Sequence, residues 1–354
     1  MNGNDITGIT GIFQYEGTGN LGEYKVKGIE KKELSGESLF KSLINSSRLK
    51  YINVSNILDE VTSKKFRSED LTTHGGHQTD NYSFVLPYHT KTTLDIDNSL
   101  KLKGSTNGFV AGSQRQLPKN RGVITFYLGH EDSNFQRNDQ KLNLKNHTYH
   151  SGLSYYKTLK RDEILNYYLK ANVNFDYTQS NIEKFYSAVI EKTNAKAKSF
   201  GYDADILFGV NYYMQNHDLK LNPEFGLSYK GINFNNFTIT HIGSLKEHYL
   251  SQHANFIDSV TALKFQALLN GMIKTNLRFG VLYNIHSNAK EEFRLGNNNL
   301  MGSELKFPKW YTFTQAGLSF PINDNMNISL NYNGIFTFKE TQAHTAFLRM
   351  SLWW

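Results

Sequence analysis

Apolar and polar residues alternate along most of this chain, from about residue 81 to the C-terminus. Between Leu165 and Tyr177, for example, every second residue is apolar, and the residues between them include Asn166, Lys170 and Asp176. The same pattern returns in residues 202–214, 277–285 and 328–338. Period two predicts β-strands. Runs of about 9 to 13 residues exceed the usual strand of a globular protein and suit a tilted strand that crosses a bilayer.

One uniformly apolar face on so many strands predicts that this face lies against lipid, because a water-soluble sandwich would need a second sheet to bury it. The connections alternate in length, and short turns on one rim with long loops on the other are typical of outer-membrane barrels. The short ones are 116–122, 160–163, 215–218, 270–275 and 322–325, and the long ones are 132–141, 180–198, 233–255 and 287–309. The fold class predicted is therefore all-β: a transmembrane, antiparallel, up-and-down β-barrel of about twelve strands, beginning with strands near 82–95 and 104–117.

Residues 37–67 have a different pattern, with apolar residues at helical spacing and no Pro or Gly. We expect helical pieces here, with Ser55 capping the second piece, and we place them in the barrel lumen as a plug. The apolar residues of this plug helix are Leu39, Leu43, Ile57, Leu58 and Val61. The predicted domains are 1–36, a short stalk; 37–80, a linker with the lumen helix; and 81–354, the barrel.

Composition supports this interpretation. Hydrophobic residues make up only 39% of the chain, yet 14% is aromatic and there is no Cys. Lipid-facing and lumen-facing residues of a barrel offset each other in such averages. The net charge of +7 comes from scattered Lys and Arg with no basic block, which argues against nucleic acid as a partner. The start, MNGNDITG, is not a signal peptide, so we expect a piece of a longer precursor.

Motifs with possible chemistry are weak. GTGNLG (17–22) precedes a strand-like stretch rather than the helix that a dinucleotide site needs. HGGH (74–77) offers two imidazoles without a third ligand at a defined spacing, so a loop is favoured over a metal site. Ser38-x-x-Lys41 and Ser47-x-x-Lys50 match a β-lactamase dyad by spacing only. We expect no catalytic residues, no metal and no cofactor.

Charged residues on the polar faces of the strands should line the lumen. Those expected to contact the helix there are Asp203, Asp205, Lys264, Arg278 and Arg349, with Lys170 and Asp176 in equivalent positions. Asp203 and Asp205 could also form a carboxylate pair for acid–base chemistry, but charged residues are ordinary in a barrel lumen.

The chain ends HTAFLRMSLWW. Trp354, Leu352, Met350 and Leu348 alternate on one face of this last strand, which resembles the signal that the outer-membrane assembly machinery recognises. The order of stalk, helical linker, barrel and terminal aromatic resembles the translocator end of a monomeric autotransporter of type V secretion. NGFVAGSQRQLPKNRGVITFYLGHE (107–131) is similar to early barrel strands of that family, and the resemblance covers residues 37–354.

The resemblance implies a barrel in the outer membrane of a Gram-negative bacterium that anchors an N-terminal passenger and exports it to the cell surface. The implied partners are outer-membrane lipid, the barrel assembly machinery and the chain's own passenger, for a barrel that works as a monomer and is not an enzyme. Some family members cleave themselves at an Asn–Asn bond in the helix. Residues 37–70 contain no such pair, so we predict no cleavage of that kind, although Asp203 and Asp205 would be the acids to test.

Two alternatives remain open at this point. One is a porin-like channel with an N-terminal plug. The other is a surface adhesin that uses long extracellular loops such as 233–255, which are rich in aromatic residues and Asn.

Overall fold

The computed structural model describes most of the chain, including the helix and the barrel. The described residues are 8–10, 13–17, 24–29, 36–62, 81–97, 100–118, 121–162, 164–186, 191–214, 219–240, 246–269, 273–295, 301–323, 325–338 and 341–354. The HGGH motif at 74–77 and residues 18–22 of GTGNLG lie outside them.

These residues form one helix, α1 (Gly36–Thr62), and eighteen strands. The strands in chain order are β1 Gly8–Thr10, β2 Phe13–Gly17, β3 Tyr24–Ile29, β4 Asn81–Asp97, β5 Leu100–Gln116, β6 Val123–Arg137, β7 Leu142–Arg161, β8 Leu165–Tyr186, β9 Glu191–Met214, β10 Leu219–Phe234, β11 Phe237–Thr240, β12 Lys246–Tyr249, β13 Gln252–Leu269, β14 Ile273–Leu295, β15 Met301–Glu304, β16 Trp310–Asn323, β17 Met326–Phe336 and β18 Gln342–Trp353. Strands β1–β3 form a small antiparallel sheet.

Twelve strands close into one barrel. They are β4 to β10, β13, β14 and β16 to β18, each antiparallel to its neighbours in the ring. The ring closes where β18 pairs with β4, from Gln342 opposite Thr93 to Trp353 opposite Tyr82. The predicted twelve-stranded antiparallel barrel is confirmed. Closure leaves no unpaired strand edge in the ring, as a structure surrounded by lipid requires.

One rim of the barrel carries short connections, and we call it the short-turn rim. It includes the turn 117–122, where the Leu117 amide donates to the Gly122 carbonyl at 2.8 Å. Gly122 has φ +124°, a conformation that a side chain would strain. Both ends of the barrel lie at this rim, where the Trp354 amide donates to the Asn81 carbonyl at 3.2 Å.

The outer surface carries a belt of exposed apolar residues. On β9 the belt runs from Phe200, which is 47% exposed, through Ile206 to Tyr212, which is 38% exposed. Twelve residues of strand extend about 40 Å, and a tilt of about 40° reduces this to a height of about 30 Å. The belt therefore has the height of a bilayer core, and the predicted lipid-facing surface is present.

Beyond Phe200, on the side opposite the short-turn rim, the alternation reverses: apolar residues now point inward and polar residues point outward. Ala195 and Ala197 of β9 point inward and are buried, whereas Lys196 and Lys198 point outward and are exposed. The same reversal buries Leu142, Leu144 and Ile182 on the two preceding strands. The barrel wall thus continues past the belt as a sheet with an apolar interior and a wet exterior.

This extension corrects the predicted long loops at 132–141, 180–198, 233–255 and 287–309. Strands β8 and β9 are 22 and 24 residues long, and they pair without interruption from Tyr186 opposite Glu191 downward. Pairing continues because the reversed alternation gives these segments an interior core. The alternation itself continues, but the apolar residues move from the outward to the inward positions. This change led to the prediction that the strands end there.

Helix α1 is one continuous helix of 27 residues, about 40 Å long. The prediction of separate helical pieces with Ser55 as a cap is therefore wrong. The Ser55 hydroxyl instead donates to Asp205 of the wall at 3.3 Å. From Leu39 to Val61 every residue is buried except Lys41, Lys50 and Ser55, which are partly buried. Among the helices within the described ranges, none is long and apolar enough to cross a membrane.

Candidate functional site: the barrel lumen

Helix α1 fills the lumen along its length, with its N-terminal half in the extended part of the barrel and its C-terminal end near the short-turn rim. Its first apolar residues belong to a core shared with the inward residues of the extension. Near its other end, the Arg349 guanidinium of β18 donates to the Glu60 carbonyl at 3.0 Å. The helix therefore has a defined direction inside the barrel.

An aromatic collar packs against the helix near its N-terminal end. We use this name for Phe40 with Phe234, Phe237 and Tyr249, whose ring centroids lie 5.6, 5.8 and 5.5 Å from that of Phe40. Phe237 and Tyr249 come from the hairpin of β11 and β12. Aromatic residues of the segment 233–255 are thus buried on the helix, and this removes the exposed aromatic surface on which the adhesin alternative rested.

Arg48 is, with Arg349, one of the largest fully buried side chains among the described residues. Its guanidinium lies between the rings of Phe256 and Tyr311, 4.4 and 4.6 Å from their centroids. It also forms a salt bridge of 2.7 Å with Asp258, to which Lys230 is a second cation at 3.6 Å. Arginine can both stack on aromatic rings and pair with a carboxylate, so this contact holds the middle of the helix to β13 and β16.

Asn53 connects the helix to the seam where the barrel closes. Its side-chain oxygen accepts hydrogen bonds from the Asn333 amide at 2.8 Å and from the Thr345 hydroxyl at 2.7 Å, and its amide donates to Thr90 at 3.1 Å. One helix side chain therefore contacts β17, β18 and β4.

Asn56 continues this polar face one turn later. The Gln315 amide donates to the Asn56 backbone carbonyl at 2.6 Å, and the Arg278 guanidinium donates to the Asn56 side-chain oxygen at 3.2 Å. The Asn56 amide donates to Asn333 at 3.3 Å. The polar groups of the wall and of this helix face thus hydrogen-bond to each other, and neither set faces lipid.

The acidic C-terminal end of α1 and the wall share a buried group of ion pairs that we call the charge cluster. Its members are Asp59 and Glu60 of α1 and Lys170, Glu224, Lys264, Arg278 and Arg349 of the wall.

Asp59 is its centre, with a very short contact to Lys170, Lys264 at 3.4 Å and the Arg278 Nε at 3.6 Å. Glu224 accepts from Lys170 and Arg278, both at 3.1 Å. Glu60 lies 3.5 Å from Lys264. Four cations surround three carboxylates, so each buried charge has a partner of opposite sign.

The opposite side of this helix segment is apolar. Ile57, Leu58 and Val61 pack with inward aromatic and aliphatic residues of β4, among them Phe84 and Leu86. The predicted plug residues Leu39 and Leu43 lie in the larger core of the extension. All five predicted plug residues are therefore on α1 and buried.

Lys50 and Tyr51 attach the helix to β8. The Lys50 ammonium lies 2.7 Å from Asp176, and the Tyr51 hydroxyl makes a very short hydrogen bond to the same carboxylate. A methyl group at Gly201 would overlap the Tyr51 hydroxyl, so the wall has a glycine where the tyrosine approaches. Beside Lys50 lies a cavity of about 30 Å³ lined mainly by hydroxyl groups and Glu131, which is room for a water molecule.

The predicted lumen residues are divided by this geometry. Lys264, Arg278 and Arg349 contact the acidic end of α1, and Asp205 contacts Ser55. Asp203 is the exception. It is buried in the wall, but its carboxylate accepts from Asn174 at 2.7 Å, its direct cross-strand neighbour. Within the described part of the chain, no α1 side chain hydrogen-bonds to it.

Sequence reasoning missed Arg48, Asn53, Asn56 and the helix acids Asp59 and Glu60. The available signal was the helix itself. Its polar residues fall on several faces. A helix on a protein surface needs polar residues only on its exposed face, whereas a helix enclosed in a polar lumen needs them on several faces.

Met350 and Leu352 of β18 and Trp354, which follows the strand, point outward and are 41, 48 and 61% exposed, and Leu348 is partly exposed on the same face. The Trp354 indole donates to Ser83 at 3.0 Å, whereas Trp353 packs on Tyr82 with ring centroids 5.1 Å apart.

Among the side chains that the structure describes, no group of three or more His, Asp or Glu could hold a metal ion.

A closed twelve-stranded barrel with an apolar belt and a helix bonded into its lumen defines a class of outer-membrane β-barrels. A family model described as the autotransporter β-domain matches residues 86–333, and the chain belongs to this family. It is an outer-membrane translocator barrel of a Gram-negative bacterium. Curated protein sequences include no match.

Solved structures of the same fold are distant in sequence. The translocator domain of the autotransporter NalP from Neisseria meningitidis is 14% identical, with a TM-score of 0.69 over 88% of this chain and 98% of that chain. The β-domain of the Bordetella autotransporter BrkA is 12% identical, with a TM-score of 0.51 over 76% of this chain and 98% of that chain.

Proposed function

We propose that this barrel exports the segment N-terminal to α1 to the cell surface and then keeps α1 in the lumen as a plug. The direction of α1 carries the proposal. Short turns of outer-membrane barrels face the periplasm, and the barrel's own ends, Asn81 and Trp354, lie at the short-turn rim. Since the C-terminal end of α1 is near that rim and its N-terminus is in the extension, a chain leaving α1 at Gly36 leaves on the outer side.

The contacts of α1 support a plug that stays in place. It is bonded to the wall at Arg48, Asn53, Asn56 and the charge cluster, and the aromatic residues of the collar pack against its outer end. In this division of the chain, residues 1–36 are the end of the passenger, 37–80 the linker, and 81–354 the translocator. The barrel contributes transport and no catalysis.

Protease accessibility tests the direction. An epitope tag is placed before Asn2 in cells that carry the chain behind a signal peptide, and a second tag in the turn 117–122 is the matched control. Protease added to intact cells should remove the first tag and spare the second. If the first tag is cut only after the outer membrane is opened, the N-terminus is periplasmic and the proposal is wrong.

That outcome would favour the porin-like channel with an N-terminal plug. The channel also predicts conductance with residues 1–80 in place, whereas a plugged translocator conducts well only after α1 is removed. Recordings of the full chain and of the chain without residues 1–80 in planar bilayers separate the two.

We further propose that the outward face of β18, formed by Leu348, Met350, Leu352 and Trp354, is the signal for the barrel assembly machinery. Their alternate, exposed positions on the last strand support this role.

The ring closes within one chain, which favours a monomer. Light scattering in detergent, after correction for bound detergent, should show a single species of monomer mass.

A further inference from the structure

The outer surface just beyond the aromatic end of the apolar belt carries an unusual arrangement of lysines. Tyr149, Tyr177 and Phe200 are cross-strand neighbours on β7, β8 and β9, and all three are exposed on the outer face. Aromatic residues at such positions mark the interface between hydrocarbon and headgroups. The next outward residues along these strands therefore lie at headgroup height.

The next outward residues are His147 on β7, Gln179 on β8 and Lys198 on β9, and the row beyond them contains two more lysines. On β9, Lys198 is the next outward residue beyond Phe200, and Lys196 is the one after that. Lys145 of β7 lies in the same row as Lys196, with Asn181 of β8 between the two. All three lysines are exposed. Lys196 and Lys198 are about 7 Å apart along the strand, and Lys145 is about 10 Å from Lys196 across two strand spacings. We call these three residues the lysine patch.

The carboxylates nearest the lysine patch are already engaged. Asp132 accepts from His147 at 2.5 Å, and Glu183 pairs with Lys192 at 3.1 Å. Among the described residues, Lys145, Lys196 and Lys198 form no salt bridge. The patch therefore presents three positive charges, fixed on paired strands, to whatever lies beside the barrel at this height.

Because this rim is the outer one, the molecules beside it are lipids of the outer leaflet. We propose that the lysine patch binds the phosphate groups of the phosphorylated glycolipid in that leaflet. Charge complementarity and depth both favour this occupant, since the acyl chains would lie along the exposed rings of Tyr149, Tyr177 and Phe200 while the phosphates reach the ammonium groups. The proposal rests on the orientation of the barrel in the membrane and does not require passenger export.

The test measures binding of diphosphorylated lipid A to the full chain purified in detergent, by microscale thermophoresis. Lys145→Gln, Lys196→Gln and Lys198→Gln are combined in one variant. The matched control replaces three exposed lysines of the other wall, Lys290→Gln, Lys306→Gln and Lys309→Gln. Lysines near an anionic lipid surface strengthen binding, and salt screens part of this attraction, so we expect affinity to fall about tenfold in the patch variant and less than about twofold in the control.

Three comparisons complete the test. Replacing the three patch lysines by Arg should retain binding, and lipid A without its phosphates should bind wild type and patch variant equally. Equal affinity of wild type and Gln variant for the diphosphorylated lipid overturns the proposal. Displacement of the lipid by millimolar inorganic phosphate also overturns it, because the patch would then be a general anion site. None of these results alters the accessibility of the N-terminal tag.

Discussion

Asp59 is the residue whose replacement should release α1 most readily. Its carboxylate faces Lys170, Lys264 and Arg278 in a lumen where all four side chains are buried. Asp59→Asn keeps the shape and removes the charge, so three cations lose their common partner. Removing one partner of a buried ion pair costs about 3 to 5 kcal/mol. We take the lower end, about 3 kcal/mol, because the Asn oxygen still accepts hydrogen bonds and Glu60 and Glu224 remain.

If the state with α1 seated in the lumen is destabilised by this amount, the ratio of unseated to seated α1 rises about a hundredfold, since about 1.4 kcal/mol is a factor of ten. Single-channel recording in planar bilayers measures this as the frequency of large open events. Ser55→Ala, which removes one bond of 3.3 Å to Asp205, is the control and should change the frequency by no more than about fivefold.

A double variant tests the electrostatic cause. Lys170→Gln added to Asp59→Asn restores the balance of charge in the cluster, so opening should fall back by about tenfold or more from the Asp59→Asn level. The reasoning is refuted if Asp59→Asn folds, as shown by its heat-modifiable mobility on gels, and opens no more often than wild type. It is also refuted if the effects of the two substitutions simply add.

Three further outcomes are expected. Arg48→Ala leaves Asp258 buried and should lower the free energy of unfolding by about 3 kcal/mol, measured by denaturant titration in detergent; a loss below about 1 kcal/mol would contradict the role of the contact. Trp354→Lys should reduce the amount of assembled barrel in the outer membrane several-fold, whereas Trp353→Phe should not; equal levels would count against the assembly signal. Gly201→Ala should displace Tyr51 and cost about 1 to 3 kcal/mol in the same titration, with an unchanged midpoint as the contrary result.

The part of the fold that lies in the membrane could be predicted from alternation alone. Segments such as 165–177 contrast a lipid-facing set with a polar set, and the count of twelve strands follows from them. The extension could not be read in the same way. Around Ala195 to Lys198 the apolar residues move from the outward to the inward positions, so a pattern that is assumed to face lipid throughout ends there.

The lumen was partly predictable. Strand positions such as Lys264 and Arg278 are assigned to the interior by parity, so their contact with a plug helix followed once a helix was placed there. The distribution of polar residues around the helix indicated contact with a polar lumen, but which helix residue would pair with which wall residue was not predictable, because a lumen with mixed walls places few demands on which helix face is polar. Asp203 illustrates this limit: its parity is that of a lumen residue, but it hydrogen-bonds to its wall neighbour Asn174 and not to the helix.

The reversal of parity along the wall changes the contacts of the helix along its length. The C-terminal half of α1 docks by polar bonds and charges on one face and by apolar residues on the other, whereas Leu39, Phe40, Leu43 and Ile44 belong to a hydrophobic core in the extension. Before they arrive, the inward aliphatic and aromatic residues of the extension would line a wet cavity. Burying each such side chain gains about 1.5 to 3 kcal/mol. Completion of this core therefore opposes displacement of α1 toward either rim, so the fold itself halts the chain once the helix is seated.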